Sequence, residues 1–226
     1  MIRAELIKTD AQIRADVVKE LQGDPAIEGA EVGVQVRSGI VTLSGTVSAY
    51  VKRLAARDAA HRVRGVLDVV DDTTVQVPAA WQRTDEDLAK AVRNALRWDV
   101  LVPDDRITTT VSRGVVTLHG SVERWAQRFE AEKVVQRLTG VRSILNRIAV
   151  IAPPVDAASI KREVESALER QSEREARRIG VCVQEGVVTL TGTLRSWGEK
   201  NAVERAASHT PGVRSVDDRT TVDPYK

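Results

Sequence analysis

Glycines recur in a pattern that invites a phosphate-binding reading. Gly39 and Gly45 bracket GIVTLSG, Gly114 and Gly120 bracket GVVTLHG, and Gly186 and Gly192 bracket GVVTLTG. A phosphate-cradling loop needs converging backbone N–H groups, then a lysine and a hydroxyl residue where the next helix starts, in the order G-x-x-x-x-G-K-[ST]. Here Thr46, Ser121 and Thr193 follow the second glycine directly, with no lysine before them. The spacing therefore assigns the glycines to a turn and to the start of a helix, with the three hydroxyl residues beside its N-cap.

Basic side chains offer a second chemistry. Lys52, Arg53, Arg57, Arg62 and Arg64 follow the first glycine pair, and Arg124, Arg128, Lys133 and Arg137 follow the second. Such residues attract anionic lipid headgroups with about 1 kcal/mol each near the surface. Asp58, Glu123, Glu130 and Glu132 are interspersed among them, which equally describes an ordinary solvated helix face. Arg174, Arg177 and Arg178 are mixed with Glu173 and Glu175 in the same way.

Aromatic residues stand at a fixed place, with Tyr50, Trp125 and Trp197 each five positions after the second glycine. Tyr and Trp suit a membrane interface, but a shared position points first to packing. Trp98 differs, because its counterparts are Gly23 and Arg170, and it is the aromatic candidate for a lipid or partner contact. His61, His119 and His209 occupy unrelated positions, so no metal site is expected. Cys182 should face away from its neighbours Val181 and Val183. No Ser-His-Asp, Cys-His or paired-carboxylate arrangement stands out, so no catalytic residue and no cofactor are assigned.

The elements that would position these residues are repeated three times. Gly65-Val66, Gly140-Val141 and Gly212-Val213 follow the glycine pairs at constant distance, and Val75, Val150 and Val222 close each unit. Units 9–75, 84–150 and 156–222 align without a gap, joined by proline-containing linkers 76–83 and 151–155 that read as semi-rigid. Ile13, Val17 and Leu21 share one helical face, matched by Leu88, Val92 and Leu96 and by Ile160, Val164 and Leu168. Thr9, Thr84 and Asp156 are the N-caps, with Gln12 and Asp87 placed for capping boxes.

Alternation at Val32, Val34 and Val36, and at the matching positions of the other units, argues a half-buried strand. A tight turn at Ser38-Gly39, Arg113-Gly114 or Glu185-Gly186 then makes a hairpin with the V-T-L strand. The second glycine is expected to end that strand. A second helix would run from near Val47, Val122 or Leu194 to the glycine of the Gly-Val pair, and a last strand would run from Val66 to Val75. The expected fold is α+β: tandem αββαβ units, each a three-stranded mixed sheet with two helices on one face. Small units with a half-open sheet are expected to pack on one another or on a second copy.

Composition narrows the function classes. The chain has 226 residues, 42% apolar and 29% charged, enough to form a core and too ordered in pattern for global disorder. With 34 basic against 32 acidic residues, the net charge is +2, and aromatics are 3%. Both argue against nucleic acid as a partner. The single cysteine excludes an internal disulfide and a thiolate-built zinc site. The charged start MIRAELIKTDAQIR lacks a signal-peptide core, and no segment approaches the ~20 apolar residues of a membrane span. The expectation is a cytoplasmic protein.

The pattern G-x-V-T-L-x-G, a following helix, Gly-Val and a closing strand resembles the BON (bacterial OsmY and nodulation) domain. WDVLVP at 98–103, GVRSILNRIAV at 140–150, and LTGTLRSWGEKNAVERAASHTPGVRSVDD in the third unit carry the same likeness. The resemblance implies a bacterial protein linked to osmotic or envelope stress, in a family proposed to contact phospholipid. Three functions follow as expectations. The leading one is a non-enzymatic module that associates peripherally with anionic phospholipid or an envelope-linked partner, through Trp98, Lys52, Arg53, Arg57, Arg124 and Arg128. The second is a cytoplasmic interaction or self-assembly scaffold, and the third is small-cation sensing.

Overall fold

A computed structural model describes residues 7–153, 155–171 and 178–225. Glu173, Arg174, Glu175 and Arg177, singled out above, and Pro154 of the second linker lie outside the described residues. The first repeat comprises α1 (Asp10–Gly23), β1 (Glu31–Arg37), β2 (Ile40–Val47), α2 (Tyr50–Arg62) and β3 (Asp68–Val75). The second comprises α3 (Asp85–Trp98), β4 (Ile107–Ser112), β5 (Val115–Val122), α4 (Trp125–Gln136) and β6 (Ser143–Val150). The third comprises α5 (Ala157–Gln171), β7 (Ile179–Gln184), β8 (Val187–Leu194), α6 (Trp197–Ser208) and β9 (Ser215–Val222). Each repeat has its own three-stranded sheet with the hairpin's second strand in the centre. In the first, β1 runs antiparallel and β3 parallel to β2, with Val41 opposite both Val36 and Val69. The fold is α+β, an αββαβ unit used three times, as the sequence pattern predicts.

By compactness the chain divides into two units. The first contains residues 1–82 with the short stretches 195–198 and 222–226. Its core gathers Ile13, Val17 and Leu21 from α1, Val41 and Leu43 from β2, and Ala56, Ala59 and Ala60 from α2. Alanines on α2 let that helix lie close to the sheet, which the larger residues of α1 then seal. A satellite cluster of Val47, Val75 and Val77 seats Tyr50. The Tyr225 hydroxyl accepts a hydrogen bond from the Lys8 N–H at 3.0 Å, and Arg64 stands 5.9 Å from the tyrosine ring.

The second unit contains residues 83–194 and 199–221. In its first repeat Leu88, Val92 and Leu96 of α3 are buried with Val116 and Leu118 of β5. In its other repeat Ile160, Val164 and Leu168 pack with Val188, Leu190 and Val203. Helix starts follow the expected caps. Thr9 and Gln12 form a reciprocal box, Thr84 accepts from the Asp87 N–H at 3.1 Å, and Asp156 accepts from the Ser159 N–H at 3.0 Å. Asp87 departs from the box: its carboxylate accepts from the Thr84 hydroxyl at 2.7 Å.

The glycines behave differently from expectation at two places. At the hairpin, Ser38 and Gly39 have φ of 50° and 76°, and the matching pairs in the other repeats agree within a few degrees. That is the two-residue turn whose twist suits a hairpin. The second glycine, however, does not end its strand. Gly45, Gly120 and Gly192 lie inside β2, β5 and β8, two residues before their ends, with φ of 115°, 128° and 136°. A carbonyl at or just before the start of the neighbouring edge strand (Glu31, Arg106 or Arg178) lies where a Cβ would stand, so the strand continues through a position that favours glycine.

Several boundaries move accordingly. Thr46, Ser121 and Thr193 are strand residues rather than neighbours of an N-cap. Val47, Val122 and Leu194 are the buried last residues of their strands, continuing the inward alternation of Val41 and Leu43, and the helices begin at Tyr50, Trp125 and Trp197. Val51 is exposed, and Val63 already lies past the end of α2. The helices stop short of Gly65, Gly140 and Gly212, which lie in the turn beyond with positive φ. Val66 is buried before β3 begins at Asp68.

Candidate functional site

The most exposed apolar group of the second unit follows α3. Trp98 is the last residue of that helix, and Asp99 caps it. The Asp99 carboxylate accepts from the Leu101 N–H at 2.9 Å, and the Val102 N–H donates to the Asp99 carbonyl at 3.2 Å. This turn buries Val102 and lifts its neighbours outward: Trp98 is 87% exposed, Val100 96% and Leu101 61%. Leu96, two residues back on α3, is fully buried, so the tip stands on a firm base. In the first repeat Ile27 takes the place of Val102 and is buried, but Gly23, Pro25 and Ala26 replace the protruding side chains. The charged residues around the tip carry a small acidic excess, with Asp99, Asp104 and Asp105 against Arg97 and Arg106, and Arg106 pairs with Glu123 at 2.8 Å.

The basic residues of the second helices are placed elsewhere and differently from one another. Lys52, Arg53 and Arg57 belong to the first compact unit, and Arg124 and Arg128 share the second with Trp98. Arg53 reaches from α2 to β3, its Nε 2.8 Å from the Asp71 carboxylate and its Nη2 donating to the Asp71 carbonyl at 3.1 Å. Arg128 repeats this with Asn146, donating to its carbonyl at 3.0 Å, while its guanidinium lies 4.6 Å over the Trp125 ring. Lys200 repeats it again with Asp218 at 3.0 Å and the Thr220 carbonyl at 2.7 Å.

One position per repeat therefore ties the second helix to the last strand. Burial alone would raise the Asp71 carboxyl, but hydrogen bonds from Thr73 and Arg53 outweigh it and hold it below the usual carboxylate range. The remaining candidates are less engaged. Lys52 donates to the Glu28 carbonyl, Arg57 lies 3.6 Å from Asp58 on an open face, and Arg124 is exposed ahead of α4. Arg62 joins α2 to Glu20 at 2.7 Å and to Asp24 at 2.6 Å.

The tie in the third repeat gives a stability prediction. The Lys200 and Asp218 side chains are 15% and 12% exposed, so Asp218→Ala leaves an ammonium largely shielded from water. We expect a loss of about 2 kcal/mol, below the full cost of orphaning a buried charge because Thr220 still accepts from Lys200. Asp217→Ala, on the exposed Arg219 pair, should cost less than about 1 kcal/mol. Urea unfolding of the two variants side by side checks the contrast.

Trp197 also packs, as its repeated position suggested. Inside the first compact unit its ring stacks on His61, with centroids 3.9 Å apart and planes 12° from parallel. The His61 Nε2 is buried without a hydrogen-bond partner among the described residues. Burial, reinforced by the nearby Arg57 charge, lowers its pKa to about 4. The folded protein thus binds fewer protons here than the unfolded chain, whose histidine titrates near 6.5. The stabilisation from a neutral His61 is complete above that pH and is lost as pH falls through about 4. Comparing unfolding midpoints of wild type and His61→Phe from pH 7 to pH 4 should show the shallower decline in the variant.

A carboxylate missing from the sequence reading serves the hairpin turns. Asp10, the first residue of α1, accepts from the Ser38 and Gly39 N–H groups at 2.7 and 2.9 Å. Asp85, the first residue of α3, does the same for Arg113 and Gly114 at 2.7 and 3.0 Å, and these two amides hold its carboxyl below the ordinary range. The third repeat has Ala157 at this position. Aligning the repeats displays the Asp, Asp, Ala series, but its meaning appears only when the turn folds back onto the helix start.

No described helix is long and apolar enough to cross a membrane. The BON domain family profile matches residues 9–77, 84–152 and 156–224. Osmotically-inducible protein Y of Escherichia coli K12 is 30% identical over 128 residues, spanning 51% of this chain and 64% of that protein. The chain thus spans less than two-thirds of that relative's length. Among solved structures, CdsD, a structural protein of the type III secretion system of Chlamydia trachomatis, aligns over 92% of this chain and 91% of its own. The identity there is 14% and the TM-score 0.27. The C-terminal domain of CdsD aligns over 96% and 100% at 13% identity, also with a TM-score of 0.27. Likeness at that level says nothing about what this chain assembles with.

Proposed function

This chain belongs to the BON domain family, three domains in tandem, and on that premise we propose that it is a non-enzymatic bacterial binding module of the osmotic stress response. It associates peripherally with phospholipid from the cytoplasmic side, the tip at Trp98, Val100 and Leu101 entering the headgroup layer. The observation that carries this reading is the exposure of those three side chains on a turn anchored by buried Val102. Tryptophan favours the boundary between headgroups and acyl chains, and large apolar groups held in water gain by moving there. The exposed Arg124, in the same unit as the tip, adds attraction for anionic headgroups. Arg53 and Arg128 contribute little, since each is already engaged with the last strand of its repeat. The likeness to an osmotically inducible protein supports the stress assignment.

Co-sedimentation of the full chain with anionic and neutral vesicles, at low and high salt, tests this. Binding to both kinds of vesicle, stronger on anionic ones and weakened by salt, is the expected result. A chain left in the supernatant under every condition overturns the lipid reading. The protein would then be better described as an interaction scaffold, and light scattering would look for concentration-dependent size.

A further inference from the structure

The third hairpin turn repeats the geometry of the other two but lacks its carboxylate. Glu185 and Gly186 have φ of 49° and 79°, matching Arg113 and Gly114 at 51° and 77°. In the second repeat the two turn amides are filled by Asp85, with the Arg142 charge contributing nearby. In the third repeat Ala157 replaces that aspartate, and Arg214 takes the place of Arg142. The resemblance is close in space as well: a Cβ on Gly114 would meet Arg142 Cγ at 3.0 Å, and one on Gly186 would meet Arg214 Cγ at 3.0 Å.

What remains is an open cavity of about 220 Å³ lined by Pro153, Val155, Ala157, Glu185, Gly186 and Arg214 among others. Gly186 is buried, and its N–H donates to no acceptor among the described residues. Glu185 is exposed and its carboxylate bonds to neither amide. Arg214 uses one terminal nitrogen on the Ala152 carbonyl at 3.4 Å. An amide that opens on a cavity without a protein acceptor, next to a second amide and an arginine side chain, makes a site suited to an oxyanion.

We infer that the Glu185–Gly186 turn of the third repeat, with Arg214, is a binding site for a carboxylate supplied from outside the chain. The chemical class is fixed by the two sister turns, where the same amide pair already holds a carboxylate. The volume suits a group the size of an acidic side chain, below the ~300 Å³ at which drug-sized pockets begin. The ligand is either a free small carboxylic acid or an Asp or Glu side chain of a partner protein, and the two share one chemistry at the turn.

Amide NMR of the full chain tests this with an internal control. Acetate and a blocked aspartyl tripeptide are titrated separately at constant ionic strength, with chloride as the reference. The Glu185 and Gly186 amide signals should move and saturate, while those of Ser38, Gly39, Arg113 and Gly114 stay still because their carboxylates are already in place. Tighter saturation by the peptide identifies a protein-borne acid, and equal or tighter saturation by acetate identifies a free one. Ala157→Asp, which restores the internal carboxylate, should abolish the response, and Arg214→Gln should weaken it at least tenfold. Non-saturating shifts, equal shifts at all three turns, or an undiminished response in both variants would overturn the inference.

Discussion

Gly120→Ala should cost the second repeat more than 3 kcal/mol, a large share of its total stability. Two effects add. At φ of 128° a side chain sits in a backbone region that costs about 1–3 kcal/mol. The new Cβ would also lie 2.1 Å from the Arg106 carbonyl oxygen, far inside any allowed contact. That atom is backbone immediately before β4, next to Ile107, which pairs with Gly120, so relief requires separating the two strands. Against this stand only the few tenths to 1 kcal/mol that alanine gains by restricting the unfolded chain. Domains of this size hold roughly 5–15 kcal/mol in all. Gly23→Ala is the matched control, since it ends α1 with nothing within 4 Å of the added carbon, and should be neutral or slightly stabilising. Urea unfolding followed by tryptophan fluorescence reads both, and an unchanged Gly120→Ala midpoint would mean that the strands do not cross there.

This glycine also shows where sequence reading stops. The first helix and the hairpin were legible because their signals are local: apolar residues four apart at Ile13, Val17 and Leu21, and a turn pair ending in glycine. Gly45, Gly120 and Gly192 read as stops because glycine weakens a strand, and nothing nearby in sequence announces the carbonyl that crosses over them. The second helices were misplaced by the same error, since Val47 fits a helical spacing as well as an inward strand position. Arg53 and Arg128 looked like surface charge because their partners, Asp71 and Asn146, lie 18 residues away on another element. Val100 and Leu101 escaped notice for the opposite reason: large apolar residues are ordinarily core, and only the buried Val102 beside them reveals that this turn faces outward.

The tip is where a single pair of substitutions should change function most. Trp98→Ser with Val100→Ser is expected to lower vesicle affinity about 100-fold while leaving the unfolding midpoint within about 0.5 kcal/mol of wild type. A buried tryptophan removes roughly 150–250 Å² from water, worth several kcal/mol at about 25 cal/mol per Å². Partial insertion and the ordering of the tip consume part of this, and a net of about 2.7 kcal/mol is a factor of about 100. Native stability should be untouched because side chains 87% and 96% exposed have few contacts to lose. The charges make the experiment discriminating. Asp99, Asp104 and Asp105 near the tip outnumber Arg97 and Arg106 by one, so the tip gains nothing from an anionic surface and its insertion should depend weakly on salt. Salt dependence should instead follow Arg124, and reversing it to Glu should reduce it without removing binding to neutral vesicles. Loss of binding in the serine variant at every salt concentration makes the tip the membrane contact. Wild-type binding in that variant moves the contact elsewhere on the chain. If the serine variant instead loses a concentration-dependent increase in size, Trp98 and Val100 dock onto protein rather than lipid.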